Sequence, residues 1–289
     1  MLTTPSPEIL AYYSSFGVMT DPDKYGYLFD DLPTDIGELC QLVQNNLLHV
    51  YWAERYGRVL NEEEKHTVNV RPVAKKLAIM QQTDPRPLSA TRSPKQRQIG
   101  NCRDFTVMLA SILRYQCIPA RSRCGFGAYF LPDHYEDHWV CEYWHESQQR
   151  WVLVDAQLDS FQCSDLNVIF DPLDVPRDQF VVAGQAWQNC RHGQANPHQF
   201  GIFDWHGWWF IWGNVVRDLL AFNKIELLPW DILPNCMTHE LDDPLPTGSE
   251  LAFYDGISSF TLAEDLAFSQ LRAIYDDPVF QITNEILGL

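Results

Sequence analysis

The sequence predicts an α+β fold in which a helix packs on an antiparallel sheet, and two observations carry that expectation. From Asn101 onward, Phe105, Met108, Leu109, Ile112 and Leu113 fall on one helical face, a pattern that runs to Gln116 and is closed by Pro119. Three strand-like stretches then follow, each rich in aromatic or β-branched residues: Ala120 to Phe130 (ARSRCGFGAYF), His138 to Trp144 (HWVCEYW) and Trp151 to Asp155 (WVLVD). A helix followed by consecutive strands is an α+β order.

From the N-terminus, Ile36, Leu39, Cys40, Val43, Leu47, Val50 and Tyr51 recur at helical spacing, which predicts one amphipathic helix over Thr34 to Tyr56, capped by Thr34 or Asp35. A second helical stretch spans Val68 to Gln81. It runs into TDPRPLSATRSPKQRQIGN, whose prolines, serines and threonines interrupt regular structure. A helical N-terminal extension is therefore expected over residues 1–90 and the core over 91–175. Beyond Asp171 the chain reads as loops and helices, with an aromatic stretch Phe200 to Trp212 (FGIFDWHGWWFIW) and helical patterns near Val215 to Phe222 and Leu262 to Ile274. Residues 176–289 are expected to pack on the core.

Composition excludes several classes of partner. Against 38 Asp and Glu stand 21 Lys and Arg, a formal charge of -17, so the surface repels polyphosphate and nucleic acid is not expected. The basic stretch Arg86 to Arg97 contains prolines and reads as a connecting segment. MLTTPSPEILAYYSSFG has neither a basic nor a continuous apolar leader region. No apolar run reaches the ~18 residues that a membrane span needs. A cytoplasmic protein without a membrane partner is expected. Eight cysteines without a CxxC pair fit reduced, mostly buried thiols better than a disulfide framework or a zinc ribbon.

One of those cysteines opens the predicted helix. Cys102 stands at its N-terminal end, where unpaired N–H groups and the positive end of the dipole stabilise a thiolate. Its own backbone N–H could meet charge on a substrate oxygen, with a side-chain amide from Gln96, Gln98 or Asn101 as second donor. The hairpin supplies a base and an orienting carboxylate. If 145–150 (HESQQR) is its loop, Trp144 pairs with Trp151, Val140 lies opposite Asp155, and His138 shares that face. A one-residue slip would send Asp155 to the opposite face. Taken singly, a helix-opening Cys is more often a small buried hydrophobe, a strand His a satisfied half-buried residue, and a strand-ending Asp a turn former. Nucleophile, base and orienter together are what covalent catalysis requires.

These residues resemble a known family. GNCRDFTVMLASILRYQCIPARSRCGF is similar to the segment around the nucleophile of transglutaminase-like proteins, and HWVCEYW and RWVLVDAQLD resemble that family's His-Trp-Val and Trp-Val-x-x-Asp strands. The three blocks occur in order over about 96 to 160. The resemblance implies a papain-like α+β core without a cofactor, with Cys102 as nucleophile, His138 as base and acid, and Asp155 as orienter. One departure lies at the exit of the last strand, where Asp155 is followed by Ala156 instead of the family's usual proline. The implied chemistry is acyl transfer or hydrolysis of an amide in a protein, a peptide or a small molecule.

Other constellations carry less. Cys190, His192, His198, Asp204 and His206 are metal-ligating types, but their spacing fits neither a zinc finger nor HExxH, and no metal is expected. Trp139, Asp204, His206 and Trp208 are candidates for a substrate pocket wall. DPDKYGYLFDDL lacks the terminal Glu of a calcium loop, and GFGAYF opens no helix and so offers no phosphate cradle. Two further classes stay open: a binding or scaffold module with a vestigial triad, and a metal-dependent hydrolase built on the Cys190 to His206 cluster.

Overall fold

The computed structural model describes residues 4–237 and 245–289, so Met1 to Thr3 of the leader reading lie outside the described residues. Its elements run α1 (Pro7–Tyr13), α2 (Ile36–Asn46), β1 (Leu47–His49), α3 (Glu62–His66), α4 (Val73–Thr83), β2 (Gln98–Gly100), α5 (Cys102–Tyr115), β3 (Ala120–Gly127), β4 (Tyr135–His145) and β5 (Arg150–Val154). They continue with α6 (Ser160–Asp165), β6 (Phe180–Val182), α7 (Ala183–Arg191), β7 (Phe200–Ile202), β8 (Trp205–His206), α8 (Trp208–Phe222), α9 (Gly248–Ala263), α10 (Phe268–Tyr275) and α11 (Asn284–Leu287). The fold class is α+β, as the sequence predicts.

The chain divides into two compact units. One comprises residues up to Arg121, Val140–Asp174 and Leu287–Leu289; the other comprises Ser122–Trp139 and Val175–Ile286. Strands β3 and β4 each have residues in both.

In the first unit, α5 is buried along nearly its whole length, and its Leu109 and Ile112 share one core with Leu39 and Val43 of α2, Leu77 of α4, Tyr143 of β4 and Val152 and Val154 of β5. Each such side chain contributes about 1.5–3 kcal/mol by leaving water. The hairpin β4–β5 is antiparallel, with Trp144 opposite Trp151, Cys141 opposite Val154 and His145 opposite Arg150, which leaves Glu146 to Gln149 as the loop. The register count made on the sequence is the observed one.

Helix α2 starts as expected, with Asp35 accepting the Glu38 N–H, but it ends at Asn46 rather than Tyr56. Leu47 to His49 leave it as β1, parallel to Gln98–Gly100 of β2. Leu47 and Leu48 are both buried, which demands a strand covered on both faces. Tyr51, read as helical by its spacing, is 59% exposed.

In the second unit, β3 pairs antiparallel with β6 (Gly125 opposite Val182), β4 pairs parallel with β7 (Tyr135 opposite Phe200), and β7 turns back into β8. The expectation of only loops and helices past Asp171 misses these short strands. The aromatic stretch 200–212 is divided among β7, β8 and the first turn of α8. Phe126, Phe200 and Phe210 meet edge to face or tilted, and Trp187 of α7 is fully buried against Trp208 and Tyr254. The helical pattern Leu262 to Ile274 is broken at Glu264, whose φ of 52° no helix accommodates.

Candidate active site

Cys102 is the first residue of α5, and the turn before it is held by a reciprocal cap. Asn101 Oδ1 accepts the Asp104 N–H at 3.2 Å, and Asp104 Oδ2 accepts the Asn101 N–H at 3.1 Å. Asp104 is itself fully buried, with Lys76 Nζ 2.8 Å from Oδ2 and Arg103 Nη1 3.2 Å from Oδ1. Gly100 lets the Asp104 carboxylate approach closely, because a Cβ on it would lie 2.9 Å from Asp104 Oδ2 and displace it. Cys102 is 6% exposed, and the first residues of a helix find no carbonyl within it for their N–H groups.

The three amides considered as oxyanion donors fare differently. Gln96 is exposed, and its Oε1 accepts from the Ser93 N–H and Oγ. Gln98, in β2, is buried and neither amide heteroatom has a hydrogen-bond partner. Asn101 is buried with Oδ1 used in the cap and Nδ2 without a partner. A buried unpaired amide costs about 1–3 kcal/mol.

Asp155 follows β5 in the same unit and is 1% exposed. Its backbone N–H donates to Pro172 O at 2.9 Å, and its Oδ1 accepts the Gln157 N–H at 3.0 Å. Continuing the hairpin register one step past Cys141–Val154 sets Val140 against Asp155.

His138 lies in β4, three residues inside the strand rather than at its head, on the same face as Val140 by strand alternation. It is 2% exposed and is boxed by Tyr129, Phe130 and Phe180, with ring centroids at 5.9, 4.9 and 6.3 Å. The two residues before it are polar, Glu136 half-buried and Asp137 buried. Asn214 Nδ2 donates to Asp137 Oδ1 at 2.7 Å, and Arg217 Nη1 donates to Asn214 Oδ1 at 2.9 Å. Burial raises the Asp137 carboxyl, opposed by Arg217 and the Asn214 hydrogen bond.

Burial, with the Asp137 charge second, pushes Glu136 up to about 7 from an ordinary 4.5. A raised carboxyl means that the folded protein holds the proton more tightly, so the stability this gives is present below the unfolded value and is lost as pH rises from 4.5 through about 7. Glu136→Gln is therefore expected to stabilise the protein by about 2 kcal/mol at pH 8 and to change little at pH 4. Urea unfolding at the two pH values checks this, and an equal gain at both would contradict it.

Burial acts on four other thiols. Burial pushes Cys190 and Cys236 up to about 12, raises Cys163, and raises Cys40 further with help from Cys141 and Asp155. These should resist alkylation at neutral pH.

The proposed pocket residues all fall in the second unit. Trp139 is 1% exposed, with Nε1 unpartnered. Asp204 is exposed in the β7–β8 turn, His206 Nδ1 is 3.3 Å from His198 Nδ1, and Trp208 packs on Trp187. Among the described residues, no three His, Cys, Asp or Glu side chains gather as a metal site, so the Cys190 to His206 cluster yields only the His198–His206 pair. Nor is any helix among the described residues long and apolar enough to cross a membrane. Sequence reading missed Lys76, Gln157 and the Asn101–Asp104 cap: the first two rest on contacts that spacing does not encode, whereas the Asn-x-x-Asp spacing is the signal that could have found the cap.

Residues 52–156 match the family model described as the transglutaminase-like superfamily. No curated protein matches the chain. A solved structure from Cytophaga hutchinsonii, a candidate cysteine protease, overlays on 62% of this chain and 49% of that protein, at 16% identity and a TM-score of 0.35. The chain thus spans about half of that protein's length, and so slight a likeness carries nothing further.

Proposed function

We propose that this chain, whose residues 52–156 match the transglutaminase-like superfamily, is a cysteine enzyme that transfers or hydrolyses acyl groups through Cys102, His138 and Asp155. His138 takes the Cys102 proton, and the sulfur attacks the carbonyl carbon of a carboxamide or peptide. The Cys102 N–H receives the developing oxyanion together with a buried amide, Gln98 Nε2 or Asn101 Nδ2, both of which are buried without a partner whereas Gln96 is exposed. Asp155 holds the imidazole in its reactive tautomer. Collapse expels the amine, protonated by His138, and leaves an acyl-thioester that water or a second amine resolves. Trp139, Asp204, His206 and Trp208 would line the acyl pocket, and the substrate is a protein, a peptide or a small amide.

The observation that supports this most is the hairpin register, Trp144 on Trp151 and Cys141 on Val154. It keeps the Asp155 position and the His138 face in phase, where a slip of one residue would part them.

Incubating the protein with a complex peptide pool in ¹⁸O-water, with and without hydroxylamine, tests the reaction. Hydrolysis is expected to leave ¹⁸O in new carboxylates and transfer to leave hydroxamates. No altered peptide relative to a Cys102→Ala control would sink the proposal.

A further inference from the structure

We infer that Lys76 is a positioning residue for Cys102, acting through the Asp104 carboxylate; the inference rests on the function proposed above. A carboxylate at the third position of a helix commonly caps the chain in contact with water, at little cost. Asp104 does so with no exposure, and so does the lysine that meets it: their side chains are 0% and 1% exposed. A buried carboxylate needs a cation to stay ionised.

Two cations face Asp104, and they are not equivalent. Arg103 Nη1 meets Oδ1 at 3.2 Å and also donates to Arg71 O at 2.8 Å. Lys76 Nζ meets Oδ2 at 2.8 Å, the same oxygen that accepts the Asn101 N–H at 3.1 Å. The ammonium therefore pins the oxygen that sets the Asn101–Cys102 turn, while Gly100 leaves room for it to wrap closely. Position 76 lies on the buried side of α4 with Val73, Leu77 and Met80, and α4 is tied at its start by Val73 N–H to Met19 O at 2.9 Å. A Leu or Met would fill that position without desolvating a charge. Burial lowers the Lys76 ammonium from its ordinary value and the Asp104 charge works against that fall, consistent with a lysine held for its partner.

The consequence is read at the nucleophile. Misplacing a reacting group by about 1 Å from a distant change can cost about 10²-fold, and a thiol displaced from a helix N-terminus loses thiolate character. The test is the rate of iodoacetamide alkylation of Cys102 against pH, resolved by peptide mass mapping, with exposed Cys117 as internal reference. Lys76→Met is expected to slow Cys102 at pH 7 by about 10- to 100-fold and to move its midpoint upward, with Cys117 unchanged and Lys76→Arg restoring most of the rate. A folded Lys76→Met protein with the wild-type rate and midpoint overturns the inference. If that variant does not fold, the Lys76→Met/Asp104→Asn pair removes both buried charges: a slow Cys102 there supports the inference, and a wild-type rate overturns it. Wild-type Cys102 that is itself inert sinks the proposed function instead, and this inference with it.

Discussion

Cys102→Ala is expected to lower the turnover of any peptide found reactive by about 10⁴-fold or more, while changing stability by only about 1 kcal/mol. The asymmetry follows from size and place. The side chain is small and sits at the first turn of α5, so its loss leaves Asn101, Asp104 and Lys76 in their cap. Without sulfur, however, no thioester forms, and an oxyanion donor alone returns only a residue of the rate. Turnover and urea unfolding measured on the same preparation separate the two effects. A variant keeping a tenth of wild-type turnover would remove Cys102 from the chemistry.

The second large effect concerns stability in the other unit. Asp218→Ala is expected to destabilise the protein by about 3–5 kcal/mol, a fall in Tm of about 10 °C. Asp218 accepts Arg123 Nε at 3.0 Å, Arg123 Nη2 at 2.9 Å and the Cys124 N–H at 2.9 Å, and both side chains are fully buried. Its removal takes the bidentate partner from a buried guanidinium and an acceptor from the Cys124 N–H, while Glu264 Oε1 stays 3.2 Å from Arg123 Nη1. The guanidinium also lies over the Phe222 ring at 4.5 Å, a contact that survives the substitution without neutralising the charge. The exposed pair Arg55–Asp165 is the control: Asp165→Ala is expected to cost less than about 1 kcal/mol. Equal losses from the two substitutions would contradict the assignment of the buried pair as the stronger.

What could be read from residues alone was local. The start of α5 was legible because Phe105, Met108, Leu109, Ile112 and Leu113 fall on one helical face after Asn101, and the hairpin register because His145 to Arg150 is a stretch between two tryptophans. Strand β4 begins earlier than its apolar stretch suggests, since Tyr135 to Asp137 are polar; Asp137 is supported inside by the charge of Arg217 and by Asn214, which donates to it from 77 residues away. The parallel pair β1–β2 joins two three-residue strands from distant parts of the chain, too short to show a period. The pairing of Lys76 with Asp104 and of Arg123 with Asp218 was not legible, because the partners lie far apart along the sequence and pairing at that distance leaves no spacing to detect. The oxyanion candidates were separable only by structure: Gln96 and Gln98 look alike in sequence, yet one is spent in an exposed turn and the other is buried with its amide unpartnered.

The most direct measurement is the second-order rate of iodoacetamide at Cys102 in the wild-type protein at pH 6 to 7, peptide by peptide. A nucleophile poised at a helix N-terminus beside a base is expected to react well before Cys40, Cys190 and Cys236, and at a pH where an ordinary thiol is almost wholly protonated. A Cys102 that reacts no faster than those buried thiols, or only as pH climbs toward the ordinary thiol range, would contradict the triad.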